Sequence, residues 1–203
     1  MRLGVSNPLR ILRLIDANLT QPLDLVIYGR GAIALGYSHP KVEHQATNDV
    51  DAIIPASGLE AFRQNEDFWR AQEQVNRQLE SEKLFVTHIF SDEDVIIRPG
   101  WERDKVVIAS GLSKLRVFRP STLDLILTKM MRDDPQDLAD IEFLLSREPR
   151  VAAQIPGGIA QARIPTIPEL VEQFERMKPK VLKLVGVSSP QSNSPPRHLF
   201  GDL

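Results

Sequence analysis

Apolar residues recur at helical spacing from near the start of the chain. Leu9, Leu12 (with Ile11), Ile15 and Leu19 follow Asn7-Pro8, a capping residue and a first-turn proline, so the pattern predicts an amphipathic helix over 8–19. The period then changes. LDLVIYG (23–29) is a short apolar run closed by glycine, as in a buried strand, and 30–37 predicts a short helix ending near Gly36. A polar loop (38–48) leads into NDVDAIIP (48–55), which alternates and then turns apolar: a second strand. Residues 58–80 are charged, with Leu59, Phe62, Trp69, Val75 and Leu79 as apolar points, and predict a long surface helix laid on the sheet. Four short strands follow at 84–90, 94–99, 105–110 and 115–120, punctuated by Ser91, Asp92, Pro99, Gly100 and Gly111. Ser121 opens a helix with Asp124 three residues on, in a capping-box arrangement, and Leu123, Ile126, Leu127 and Met130 as its core stripe. Pro135, behind Asp134, opens another with Leu138, Ile141, Leu144 and Leu145 inward, and 168–178 predicts a further helix.

This order predicts an α+β fold, with a mixed, mostly antiparallel sheet, helices packed on it and a helical C-terminal part. The expected organisation is a domain over 1–150, a helical extension over 151–185 and a Ser/Pro-rich, disordered tail over 186–203. No internal repeat is visible. Composition adds little: 42% hydrophobic and 26% charged residues describe a soluble globular chain. A formal net charge of −2 gives no sign of a nucleic-acid surface. The lack of cysteine removes disulfides and thiolate zinc sites. Arginines interrupt the apolar residues of the N-terminus, and no run approaches the roughly 18–20 apolar residues that span a bilayer. The chain is read as cytoplasmic, with no membrane partner.

Two stretches carry candidate chemistry. In YGRGAIALGY, a strand ending at Gly29 and a helix opening at Arg30 present free backbone N–H groups that suit an anion, phosphate above all, and Gly29 and Gly31 allow close approach. Read alone, it is better taken as an ordinary strand-to-helix turn. In TNDVDAII, Asp49 and Asp51 are two apart on a strand and project side by side, while Val50 and Ala52 face the other way. Paired acids leading into Ile53-Ile54 repel each other. A bound Mg²⁺ relieves that, and a solvated strand edge is the plainer alternative.

A glycine turn at a helix start followed by D-x-D on the next strand resembles the nucleotidyltransferase (polymerase-beta-like) superfamily. A second block, RPSTLDLILTKMMRDDPQDLADIEFLL, is similar to abortive-infection-type nucleotidyltransferase toxins and related bacterial proteins, so the resemblance spans about 20–145. It implies a metal pair at Asp49 and Asp51 taking Mg²⁺ or Mn²⁺. It also implies a nucleotide-binding turn at Gly29 and Arg30, a lysine at Lys129 and a later acid at Asp137 or Asp140. The implied reaction moves a nucleoside monophosphate from a nucleoside triphosphate to an acceptor, RNA or protein, with release of pyrophosphate. The implied setting is a toxin with an antitoxin partner.

The residues of the second block also have bland readings. Lys129 and Arg132 flank Leu125 away from the core stripe, where a solvated face would put them. Asp137 sits at the third helical position, where an acid favours the dipole. Asp140 pairs structurally with Lys129 or Arg132. Two departures from the pattern stand out: Gly29-Arg30 replaces Gly-Gly or Gly-Ser, and the strand LFVTHIF carries His88 where active members often have a third carboxylate. His88 is the candidate base in its place. His39 and His44 are set aside as metal ligands because a loop gives them no fixed geometry, and Trp101 is read as a packing or interface residue. Besides the enzyme, two other readings stand: an inactive member acting as nucleotide sensor or protein-binding module, and a nucleic-acid adaptor using Arg98, Arg103, Lys114, Arg116 and Arg119.

Overall fold

A computed structural model describes residues 5–108 and 110–186. Five strands form one sheet: β1 (Leu23–Tyr28), β2 (Asp49–Ile54), β3 (Phe85–Ser91), β4 (Val106–Ile108) and β5 (Leu115–Arg119), in the order β3-β2-β1-β5-β4. β1 runs antiparallel to β2 and parallel to β5, β2 runs parallel to β3, and β4 runs antiparallel to β5. The α+β plan with a mixed sheet is as the pattern predicts. Nine helices are seen among the described residues: α1 (Asn7–Asn18), α2 (Gly29–Gly36), α3 (Val42–Gln45), α4 (Leu59–Arg63), α5 (Glu66–Leu79), α6 (Thr122–Thr128), α7 (Pro135–Arg147), α8 (Ile155–Gln161) and α9 (Pro168–Leu184).

The two sheet faces differ. Leu25, Ile27, Val50, Ala52, Ile54, Leu115 and Val117 point into the main core, which α1, α2, α5, α6, α7 and α9 complete. Phe174, Met177 and Val181 of α9 belong to that same core. The alternate residues Val26, Ile53 and Phe118 face a smaller cluster closed by Val95, Ile97 and Trp101. Since side chains alternate along a strand, Asp49 and Asp51 share the face of Ile53, where covering is thin.

Several expectations needed correction. The 94–99 segment forms no strand; it has only one isolated bridge, Ile97 with Arg163. Val95, Ile96 and Ile97 are fully buried because the segment fills both clusters, so its apolar run reflects core filling rather than sheet pairing. The helix expected over 58–80 is two: the first ends at Arg63 with Gln64 as its C-cap, and Asn65 Oδ1 accepts from Phe68 N at 3.0 Å, capping α5. The loop at 38–48 contains α3, α8 was not foreseen, and α9 runs on to Leu184. α6 has no solvated side: all of Thr122–Thr128 is buried, Leu125 included. The expected tail lies, beyond Gly186, outside the described residues.

Candidate functional site

Gly29 opens α2 directly after β1, and its φ of +64° is a conformation that glycine adopts without the strain a side chain would bring. A Cβ added there would stand 3.6 Å from Asp51 Oδ2, so the carboxylate lies directly against the turn. At Gly31 a Cβ would meet only ordinary contacts, the nearest at 3.8 Å, so the close approach expected there is not a matter of space. The register explains the first contact: Tyr28, at the end of β1, pairs with Asp51. Asp49, Asp51, Gly29, Arg30, Lys129, Asp137 and His88, all singled out from the sequence, line one cleft of about 420 Å³.

The neighbours of Asp51 come from an irregularity in the sheet. Val50 pairs with Val86 and Ala52 with Ile89, so Thr87 and His88 both stand opposite Asp51. Thr87 Oγ1 donates to Asp51 Oδ1 at 3.0 Å, and His88 Nδ1 lies 3.1 Å from the same oxygen. β3 is fixed in this position at its outer edge, where Asn76 accepts from Val86 N at 2.8 Å and donates to Val86 O at 3.0 Å. Thr47 Oγ1 donates to Asp49 Oδ1 at 2.9 Å. Burial, and next the charge of Asp49, push the Asp51 carboxyl above the usual range, against the hydrogen bonds from Thr87 and His88.

That shift has a testable consequence. A carboxyl raised by folding costs stability while ionised, and the cost disappears as pH falls below the unfolded value, about 3.9. Asp51→Asn is therefore expected to stabilise the metal-free protein near pH 7 by on the order of 1 kcal/mol, about 2–4 °C in melting temperature for a chain of this size. Thermal melts from pH 4 to 8 should show the gain shrinking toward pH 4; a gain independent of pH would contradict this origin.

The positive side of the cleft is built by a buried network. Lys129 is only 5% exposed and sits in a 3-10 turn after α6 rather than on a solvated helix face. Its Nζ lies 2.9 Å from Asp137 Oδ1 and 2.7 Å from Asp140 Oδ2. Arg132 holds Asp137 at 2.9 and 3.1 Å. Arg30 reaches Asp140 Oδ2 at 3.2 Å, and His44 Nε2 lies 2.9 Å from Asp140 Oδ1. Burial alone would raise the Asp140 carboxyl, but hydrogen bonds from His44, Lys129 and Arg30 together with the Lys129 charge hold it well below its ordinary range. Asp140 therefore stands behind the cleft as a shared anchor rather than lining it.

His44 is the clearest residue that sequence reasoning missed. It is fully buried, and the two partners are 96 residues apart with no local spacing to announce them. Tyr28, Phe90, Met131 and Leu170 were also not foreseen as lining. Tyr28 is held neutral, its hydroxyl pushed up by burial and then by Asp51. Three of the five cations named for a nucleic-acid adaptor are taken up in ion pairs. Arg98 is engaged with Asp124 at 2.8 Å and with Asp104 at 3.0 Å, Arg116 with Asp24 at 2.6 Å, and buried Arg119 with Glu148 at 3.0 Å.

The donors suit a small divalent cation in part. Two carboxylates and the Thr47 and Thr87 hydroxyls are hard oxygen groups, but among the described residues no three acidic, histidine or cysteine side chains gather in metal-holding geometry. Mg²⁺ takes few protein ligands and completes its shell with phosphate and water oxygens, which two carboxylates permit. Among the described residues no helix is long and apolar enough to cross a membrane.

No curated protein and no solved structure matches the chain. A family model described as "Nucleotidyltransferase of unknown function (DUF6036)" matches residues 10–146, which hold both acids, the glycine turn and the lysine network. By that match, the chain belongs to this nucleotidyltransferase family.

Proposed function

We propose that the cleft binds a nucleoside triphosphate with Mg²⁺ or Mn²⁺ at Asp49 and Asp51 and transfers its nucleoside monophosphate to a hydroxyl of RNA or protein. The observation that carries this reading is the contact of Asp51 with the Gly29 turn, which brings two acids and free helix N–H groups to one point. The metal, when bound, would neutralise triphosphate charge and polarise the phosphorus under attack. The backbone at Gly29 and Arg30 receives phosphate oxygens. Lys129 and Arg132 add positive charge from the other wall, with Asp137 and Asp140 holding them. The acceptor oxygen attacks the α-phosphorus, the α–β phosphoanhydride bond breaks, and pyrophosphate leaves. His88, beside Asp51 where a third carboxylate is absent, takes the hydroxyl proton.

The test is equilibrium binding of a fluorescent nucleoside triphosphate with and without Mg²⁺. Wild type should bind only with the metal, and Asp49→Ala/Asp51→Ala should bring binding below detection while the fold persists. A wild type that binds none of the four ribonucleotides would sink the reading. The set of Thr87 and His88 around Asp51 also favours a second reading, a member that holds nucleotide without transferring it. Labelled nucleotide retained intact after incubation with total RNA and cell protein would select it. The resemblance of residues 119–145 supports a toxin with an antitoxin partner as the setting. Growth arrest on expression, absent for Asp49→Ala/Asp51→Ala, is the expected result.

A further inference from the structure

The family match ends at residue 146, yet part of the cleft wall comes from beyond it. Leu170, in the first turn of α9, lines the cleft together with Met131, Tyr28 and Phe90. This is no loose appendage. Phe174, Met177 and Val181 bury one face of α9 in the main core, Asp133 N donates to Gln173 Oε1 at 2.8 Å, and Lys180 pairs with Asp133. Asp133 directly follows Arg132, so the helix is pinned to the same turn that carries the cleft's cations.

The cleft is thus divided in its chemistry. Gly29, Arg30, Lys129 and Arg132 suit phosphate oxygens, whereas Leu170, Met131 and Phe90 offer phosphate nothing, and Tyr28 adds a ring face beside its hydroxyl. A nucleoside has what those side chains can use: the flat apolar faces of its base, which gain from contact with rings and aliphatic carbons. A cleft of about 420 Å³ also lies within the size range of sites that enclose a small ligand. We propose that the base of the bound nucleotide rests on this apolar wall, with Leu170 of the C-terminal helix as a specificity-determining residue. The proposal rests on the nucleotide reading above and extends it. Base preference then depends in part on the segment that follows the family match, while the residues for phosphate and metal all lie in the matched part.

The experiment compares two ligands on the full chain, each with Mg²⁺: a nucleoside triphosphate and inorganic tripolyphosphate. Wild type should bind the nucleotide more tightly. Leu170→Ala, at a half-buried position on the helix surface, should weaken nucleotide binding about fivefold, the loss expected for part of one leucine side chain. Its tripolyphosphate affinity should stay unchanged, and its ratios among the four ribonucleotides should shift. Leu170→Met should restore nucleotide affinity. Equal losses for both ligands, or a wild type that does not prefer the nucleotide, would overturn the proposal. A wild type that binds neither ligand would instead sink the nucleotide reading itself, so the two failures are distinguishable.

Discussion

Asp140→Ala should cost about 3–5 kcal/mol of folding stability, the range for breaking a buried ion pair by removing one partner. That is a large share of the roughly 5–15 kcal/mol that holds a typical domain together. Asp140 is 1% exposed and accepts from three groups at once, His44, Lys129 and Arg30, drawn from α3, the turn after α6 and α2. Without it, Lys129 retains Asp137 alone, and the buried imidazole of His44 loses its carboxylate contact at Nε2. Urea unfolding of wild type and variant measures the cost directly. Asp140→Ala combined with Lys129→Met should lose less than the sum of the two single changes, because the stranded ammonium is then gone and Asp137 still has Arg132. A single-variant loss below about 1 kcal/mol would mean that water replaces the carboxylate and that the network is not a dry anchor. The pH sense is opposite to that at Asp51. A carboxyl held low by folding contributes fully above the ordinary carboxyl range, and the contribution is lost as pH falls through the depressed folded value.

Trp101→Ala should be comparably damaging, about 3–5 kcal/mol, the usual cost of deleting a buried aromatic. Trp101 is 1% exposed and closes the smaller cluster with Val26, Ile53, Val95, Ile97 and Phe118. Its Nε1 donates to Asp92 Oδ2 at 3.0 Å, and Asp92 also accepts from Ala56 N at 3.0 Å and pairs with Arg163 at 3.3 Å. Trp101→Phe keeps most of the ring volume but removes the indole donor, so it should cost about 1–2 kcal/mol. Denaturant midpoints of the three proteins order these effects; equal losses in both variants would assign the cost to the hydrogen bond rather than to the filled volume. Val26 and Ile53 lie on the sheet face that carries Tyr28 and Asp51, so nucleotide binding should weaken alongside stability in Trp101→Ala.

Much of this arrangement could be read along the chain. Periodicity located α1, β1, α2, β2, β5, α6 and α7, because each packs apolar residues into the same core and its apolar spacing records that burial. The alternation in Asp49-Val50-Asp51-Ala52 foretold which side chains share a face, and Val50 and Ala52 are fully buried on the opposite one. The segment at 94–99 misled because an apolar run reports burial and not pairing; Val95, Ile96 and Ile97 reach the core without a ladder partner on either side beyond one bridge.

What the sequence by itself determined was local: the turn that needs Gly29, the two acids set side by side, the helix that ends just before Lys129 and the helix that carries Asp140. Only the tertiary structure decided which of these meet. Antiparallel pairing of β1 with β2 set Asp51 against Gly29, and one extra residue in β3 turned both Thr87 and His88 toward it. The fold buried His44 and Lys129 around Asp140 and brought Leu170 to the cleft from outside the matched family segment. The reason is physical: spacing along a chain fixes neighbours within an element, whereas contacts between residues some 100 positions apart arise only once helices and strands have packed.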